Sequence, residues 1–177
     1  MMKTNEELVL VKPTKKDAGA IMEFRQEFLA AGETAMPGAN DLIKFDNFED
    51  WWKFIKAYEK RQTVPVKGHV PSFEYLLKRK SDGKLLGMLQ IRTALTDGLL
   101  KFGGHFGGCV RPSERSKGYS TAMIGLGIKK AKKMGIGKVL ITCKKENVSS
   151  AKSIQKAGGV LENEVDFEGT KIQRYWI

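Results

Sequence analysis

At 177 residues, 41% of them hydrophobic and 29% charged, the chain is long enough to bury one core and short for two, so a single domain over 1–177 is expected. Its longest run without a charge, Gly118 to Ile128, has eleven residues against the ~20 of a membrane-spanning helix, which argues against a transmembrane role. The net charge of +11 is concentrated: residues 101–156 carry 13 Lys or Arg against Glu114 and Glu146, and the rest of the chain balances.

Such a field gathers anions, and nucleic acid, an anionic membrane or a phosphorylated cofactor would each answer to it. The plain alternative is a solvated helix face, above all for Lys129, Lys130, Lys132 and Lys133. The opening MMKTNEELVL interrupts its apolar residues with acidic ones, unlike a secretory leader, so a cytoplasmic location is expected. Cys109 and Cys143 form no CxxC pair and no zinc-type spacing with His69 or His105. No metal is expected, and the thiols are read as reduced.

In chain order, Leu8 to Lys12 reads as a short strand before Pro13. Thr14 with Asp17 offers an acidic capping box to a helix over 15–31 that carries Ile21, Phe24, Phe28 and Leu29 on one side. Glu33 to Phe45, holding Met36-Pro37-Gly38 and Asn40-Asp41, reads as a loop. Asn47 caps a second helix over 48–61, where Phe48, Trp51, Trp52, Ile55 and Tyr58 recur at helical spacing. That stripe reads as core, with the option that part of it walls a substrate pocket. Phe73 to Arg79 and Lys84 to Thr93 form a hairpin around Ser81-Asp82-Gly83.

Lys101 to Val110 reads as a strand in which Gly103, Gly104, Gly107 and Gly108 mark a bulge or the close approach of a ligand or another backbone. A helix over 118–134 follows, directing Ala122, Met123, Leu126, Ala131 and Met134 inward and ending at Gly135. Lys138 to Cys143 is a compact strand, and a short helix runs from Asn147 to Gly158-Gly159. Val160 to Val165 and Lys171 to Ile177 close the chain as a hairpin. This order predicts an α+β (mixed α/β) fold around one sheet.

A strand, a short loop and a helix together form a phosphate-binding arrangement, because the first N–H groups of the helix lack partners and the macrodipole is positive there. The loop ends in Arg115-Ser116-Lys117-Gly118-Tyr119-Ser120-Thr121. Gly118 permits close approach, Ser120 and Thr121 offer hydroxyls, and Arg115 and Lys117 add charge. Neither GxxxxGK[ST] nor a strand-borne GxGxxG is present.

Arg115 to Ser120 resembles the Arg/Gln-x-x-Gly-x-Gly/Ala signature of the GNAT acetyltransferase superfamily. Its surroundings resemble that family as well: RPSER before it, KVLITC after the helix, then Asn147-x-x-Ser150 and Gly158. The resemblance implies a GNAT-like fold, with a central mixed sheet splayed at the cofactor strand and flanked by helices. It implies acetyl-CoA as acyl donor, with backbone groups of Cys109 and Val110 pairing with the pantetheine arm. The amides from Arg115 to Thr121 (Arg115, Ser116, Lys117, Gly118, Tyr119, Ser120, Thr121) would hold the pyrophosphate, and Asn147 and Ser150 would touch the cofactor or simply cap a helix.

Two positions depart from the family pattern. Ile154 stands where many relatives place a tyrosine general acid, and Gly104 where others place a glutamate general base. His105 is then the nearest titratable group on the slot-forming strand, reaching the slot only if the glycines shift the register, and Glu74 is the next candidate base. The function implied is acetyl transfer from acetyl-CoA to a primary amine by direct attack. The acceptor is a small molecule or peptide, with no membrane, nucleic acid as an unfavoured partner, and a homodimer as an open possibility. The alternatives are a non-catalytic acyl-CoA sensor and a basic nucleic-acid-binding module.

Overall fold

The computed structural model describes residues 7–177; the first six residues, which contribute to the leader argument, lie outside the described residues. Four antiparallel strands form one sheet in chain order: β1 (Leu8–Val11), β2 (Ser72–Arg79), β3 (Leu85–Arg92) and β4 (Phe106–Val110). Three more, β5 (Leu140–Lys144), β6 (Val160–Phe167) and β7 (Thr170–Trp176), form an antiparallel sheet in the order β5-β7-β6. β4 and β5 meet where both strands begin, through the backbone of His105 and Leu140. The single sheet expected from sequence is therefore two ladders joined at one parallel junction.

Two helices cover one face of the first sheet: α1 (Ala18–Ala30) and α2 (Phe48–Tyr58). Thr14 N–H donates to the Asp17 carboxylate at 2.8 Å, as the capping box requires, and Asn47 Oδ1 accepts the Asp50 N–H at 3.0 Å. Ile21, Phe24 and Phe28 with Phe48, Trp51 and Ile55 pack on Leu76, Leu85 and Met88. Leu29, expected inside, is 40% exposed; its place one residue past Phe28 turns it off the buried stripe.

α3 (Tyr119–Lys133) covers the opposite face, burying Met123, Ile124, Gly127, Ile128 and Ala131 against Leu89, Ile91 and Phe106. A Cβ on Gly127 would stand 2.6 Å from Leu89 and 2.9 Å from Phe106, so this glycine sets how closely helix and sheet approach. Buried on both faces, β3 is an almost continuous apolar run, LLGMLQI. Beside α3 and against β5 and β7, α4 (Val148–Lys156) buries Ile154, at 1% exposure, in the α3-side core.

The segment before β4 departs from the predicted strand. Residues Leu99–Gly103 form one wide helical turn, and the strand begins only at Phe106. Gly104 takes φ +67, and a Cβ there would meet the Leu140 carbonyl at 2.6 Å. A glutamate cannot stand at this position in this backbone, which accounts for the departure from the family pattern.

Candidate active site

The loop between α1 and α2 lies across β4. A Cβ on Gly38, at φ +74, would stand 2.0 Å from the Gly107 carbonyl oxygen, so two glycines let loop and strand touch backbone to backbone. Three further contacts fix the loop. Trp51 Nε1 donates to Ala39 O at 2.9 Å, Arg25 donates to Leu42 O and Ile43 O at 3.2 and 3.1 Å, and Asn40 Nδ2 donates to Glu74 Oε2 at 2.8 Å. Asn40 and Asp41 are held at φ +45 and +56, an uncommon conformation that these anchors stabilise.

Beneath this loop is a cavity of about 600 Å³. Met36, Phe54 and Leu99 give it apolar walls, and Asn40, Ser72, Gln90, Arg92 and the pair Tyr58 and His69 give it polar ones. Tyr58 Oη and His69 Nδ1 are 2.7 Å apart. Tyr58 is therefore one member of the aromatic stripe that both packs and lines the pocket. Burial first, then the charge of Asp41, raises its phenol pKa.

Glu74 lies on the same sheet face, opposite Gln90, which in turn pairs with Gly107. It is buried and is not part of the cavity wall. Asn40 donates to one oxygen, while Oε1 has no partner among the described residues. Burial pushes its pKa well above the usual carboxylate value, with Asn40 and Arg92 opposing. His105 is also buried, and its Nδ1 accepts the Leu140 N–H at 3.0 Å. The irregularity expected from the glycines is present, but it turns His105 onto the β5 backbone.

Beyond Leu140, β4 and β5 separate. Arg111 N–H donates to Leu86 O, so along β4 the odd-numbered residues face β3 and the even-numbered ones face the split. Cys109 backbone groups thus belong to the ladder with Met88, and those of Gly108 and Val110 open toward the split. Alternation across the ladder, which sequence spacing does not reveal, leaves the backbone N–H of Val110, and not that of Cys109, outside the pairing with β3. The Cys109 side chain is buried, and burial raises its thiol pKa.

At the far end of β4 the backbone enters the left-handed region at Ser116 (φ +62) and Gly118 (φ +86), and Gly118 caps α3. The first-turn amides of α3 at Ser120 and Thr121 follow, and Tyr119 itself is buried. The loop cations are already engaged. Arg115 pairs with Glu33 at 2.6 Å and donates to Val110 O at 3.2 Å, and Lys117 reaches Glu114 at 2.8 Å. With these cations paired, what the turn offers an anion is the backbone amides and the helix dipole. Asn147 Oδ1 accepts the Ser150 N–H at 3.0 Å, so the capping role holds for this pair.

Sequence reasoning missed Arg92, Arg111 and the Tyr58–His69 pair. Arg111, buried, donates through Nε to Leu85 O at 2.8 Å and through Nη1 to Glu23 and Glu27 at 2.9 and 3.1 Å. It locks α1 to the strand that leads into the phosphate-type turn. Its only signal in sequence was its place in RPSER.

A split between parallel strands, exposed amides along one lip and an anion-binding helix start at the end of that lip define a coenzyme A-dependent acyltransferase. The family model described as "Acetyltransferase (GNAT) domain" matches residues 7–160. The chain belongs to the GNAT acetyltransferase family and is an acetyl-CoA-dependent N-acetyltransferase. Solved structures similar to it include RimL, a ribosomal L7/L12 alpha-N-protein acetyltransferase in complex with coenzyme A (14% identity, 96% of this chain and 93% of that one, TM-score 0.67). The microcin C7 self-immunity acetyltransferase MccE, in complex with acetyl-CoA and AMP, is similar at 19% identity over 99% and 94% (TM-score 0.67). A spermidine N-acetyltransferase from Vibrio cholerae is similar at 13% identity over 96% and 92% (TM-score 0.60). At these identities the likeness speaks for the fold. No curated protein matches the chain.

Proposed function

We propose that the protein acetylates a primary amine bound in the cavity under the α1–α2 loop, by direct attack within a ternary complex. The observation that carries this is the contact of Gly38 with Gly107: it brings the cavity to the strand whose free edge faces the split. The structure suits acetyl-CoA, since Gly118 at φ +86 has no side chain to bar a phosphate from the start of α3. When bound, acetyl-CoA supplies an acetyl group activated as a thioester.

The chain's own residues do the rest. Backbone N–H groups at Gly108 and Val110 orient and polarise what lies in the split. The amides at Ser116 to Thr121 anchor the pyrophosphate end. His105 holds β4 against β5 and Glu74 holds Asn40, so both support the site's geometry; with its Nδ1 lone pair engaged, His105 is a poor proton acceptor. The proton of the acceptor ammonium leaves on the cavity side through Tyr58 and His69, the hydrogen-bonded pair in its wall.

The neighbouring structures acetylate, by their descriptions, a protein terminus and a polyamine, so the family leaves the acceptor open. The test is an amine panel scored by release of free coenzyme A, beside thermal stabilisation by acetyl-CoA. Stabilisation with no release against any amine would make the protein a sensor of acyl-CoA. The nucleic-acid alternative is weakened by the placement of Lys130, Lys132 and Lys133 in the last turn of α3, where they offset the helix dipole. That turn is about 20 Å from the helix start, given 1.5 Å per residue.

A further inference from the structure

The cavity wall contains a cation that no described carboxylate reaches at ion-pair distance, although Glu74 and Tyr58 act on it from further off. Arg92 ends β3 and lines the cavity. Its Nη1 donates to Gly103 O at 3.2 Å and Gly104 O at 3.1 Å, which fixes the plane of the guanidinium. Among the described residues no carboxylate lies within the 4.0 Å of an ion pair, and Nε and Nη2 have no hydrogen-bond partner. Nη2 lies beside β4, 3.4 Å from where a Cβ on Gly107 would stand. The guanidinium is thus next to the strand along which the acetyl group is expected.

The other charges around the cavity cancel or are muted. Asp41 is paired with Lys44 at 3.2 Å. Glu74 is set behind Asn40 and outside ion-pair distance of Arg92; burial favours its neutral acid, with Asn40 and Arg92 opposing. Of the Asp, Lys and Arg side chains that line the cavity, Arg92 is the one left outside an ion pair among the described residues. A polycationic amine would bring more positive charge to an unpaired guanidinium, whereas an oxyanion would supply the missing partner through two parallel N–H donors.

We propose that Arg92 is an oxyanion subsite for the acceptor, and that the amine acetylated is borne by a molecule or chain end carrying a carboxylate or phosphoryl group. The oxyanion sits on Nε and Nη2, and the amine points toward β4. The apolar walls at Met36, Phe54 and Leu99 receive the rest of the acceptor. This inference rests on the cavity being the acceptor site.

The first experiment needs no turnover. Calorimetry in the presence of coenzyme A compares N-acetylmethionine, its carboxamide and N-acetylaminomethylphosphonate. At least one of the two anions should bind 10-fold or more tightly than the carboxamide, and the comparison between them separates a carboxylate site from a phosphoryl site. Arg92→Gln should abolish the preference with acetyl-CoA affinity retained, and Arg92→Lys should keep part of it. Equal binding of anions and amide, including no measurable binding of any, overturns the proposal, as does a preference that survives in folded Arg92→Gln. Should Arg92→Gln not fold, the wild-type comparison and Arg92→Lys decide.

The second experiment measures kcat/KM for amino acids, their amides and spermidine. Transfer that favours amides or spermidine leaves the acetyltransfer intact and sinks the subsite. An anion preference in calorimetry with no transfer to any amine leaves the subsite and sinks the acetyltransfer.

Discussion

His105 and Leu140 are hydrogen-bonded twice: the His105 N–H donates to Leu140 O at 2.8 Å, and the Leu140 N–H donates to His105 Nδ1 at 3.0 Å. One residue pair thereby closes the start of β4 onto β5, and the strands part beyond it. An imidazole accepting at Nδ1 carries its proton on Nε2 and is neutral. Burial first, then the charge of Arg92, holds its pKa below the ordinary 6.5.

His105→Ala should therefore destabilise by roughly 1–3 kcal/mol, the cost of leaving the buried Leu140 N–H unpaired, as read by urea unfolding. With the folded pKa depressed, the folded state binds fewer protons than the unfolded chain. The histidine's contribution is complete above pH 6.5 and is lost as pH falls through its folded value. Wild type should lose this increment on acidification while His105→Ala does not. Unchanged stability with slowed turnover would instead restore His105 as the catalytic base.

Glu114 gathers Lys84 at 2.6 Å, Lys117 at 2.8 Å and Arg79 at 3.6 Å. Burial alone would raise its pKa, but hydrogen bonds from Lys117 and Lys84 outweigh that and hold it at about 2, against 4.5 ordinarily. Its contribution is present above pH 4.5 and disappears between pH 4.5 and 2. Glu114→Gln should lose stability at pH 7 by roughly 1–3 kcal/mol, the range for hydrogen bonds to a charged group, because Lys84 and Lys117 are partly exposed and stay hydrated. It should also lack the wild type's decline below pH 4.5 in a pH series of thermal melts.

Much of the fold was legible because its periodicities are local. Asn47, Asn147 and the Thr14–Asp17 box cap the helices assigned to them, and the order of elements follows the sequence. What was not legible depends on long-range geometry. The hydrogen-bonding side of Cys109 follows from the register with β3, the orientation of His105 from a backbone 35 residues away, and the lack of a close ion-pair partner for Arg92 from the way β3 and the α1–α2 loop set Glu74 behind Asn40. Arg115 and Lys117 read as phosphate ligands by their position, yet each has an acidic partner, Glu33 or Glu114.

Gly38→Ala should push the α1–α2 loop off β4, since its Cβ would stand 2.0 Å from Gly107 O and its φ of +74 suits glycine. We expect kcat/KM for the acceptor to fall 10-fold or more, with the dissociation constant of acetyl-CoA within 2-fold of wild type. An equal loss in both would mean that the loop serves the donor as well.

Gly118→Asn separates backbone conformation from steric access, because asparagine tolerates φ +86 better than a branched residue does. The apo protein should melt near the wild-type temperature while acetyl-CoA affinity falls 10-fold or more in calorimetry. Arg115→Ala, which leaves the amides in place, should weaken binding less. Unaltered affinity in Gly118→Asn would move the pyrophosphate elsewhere.

The most direct measurement mixes the protein with stoichiometric acetyl-CoA and an amine panel in a single turnover, following thiol release and the acetylated amine by mass spectrometry. One acetylamine formed per thiol released, slowed in Tyr58→Phe and His69→Gln with acetyl-CoA binding retained, is the predicted result. Acetyl-CoA that binds tightly and stays intact with every amine, or thiol released without acetylamine, would contradict acetyl transfer in this cavity.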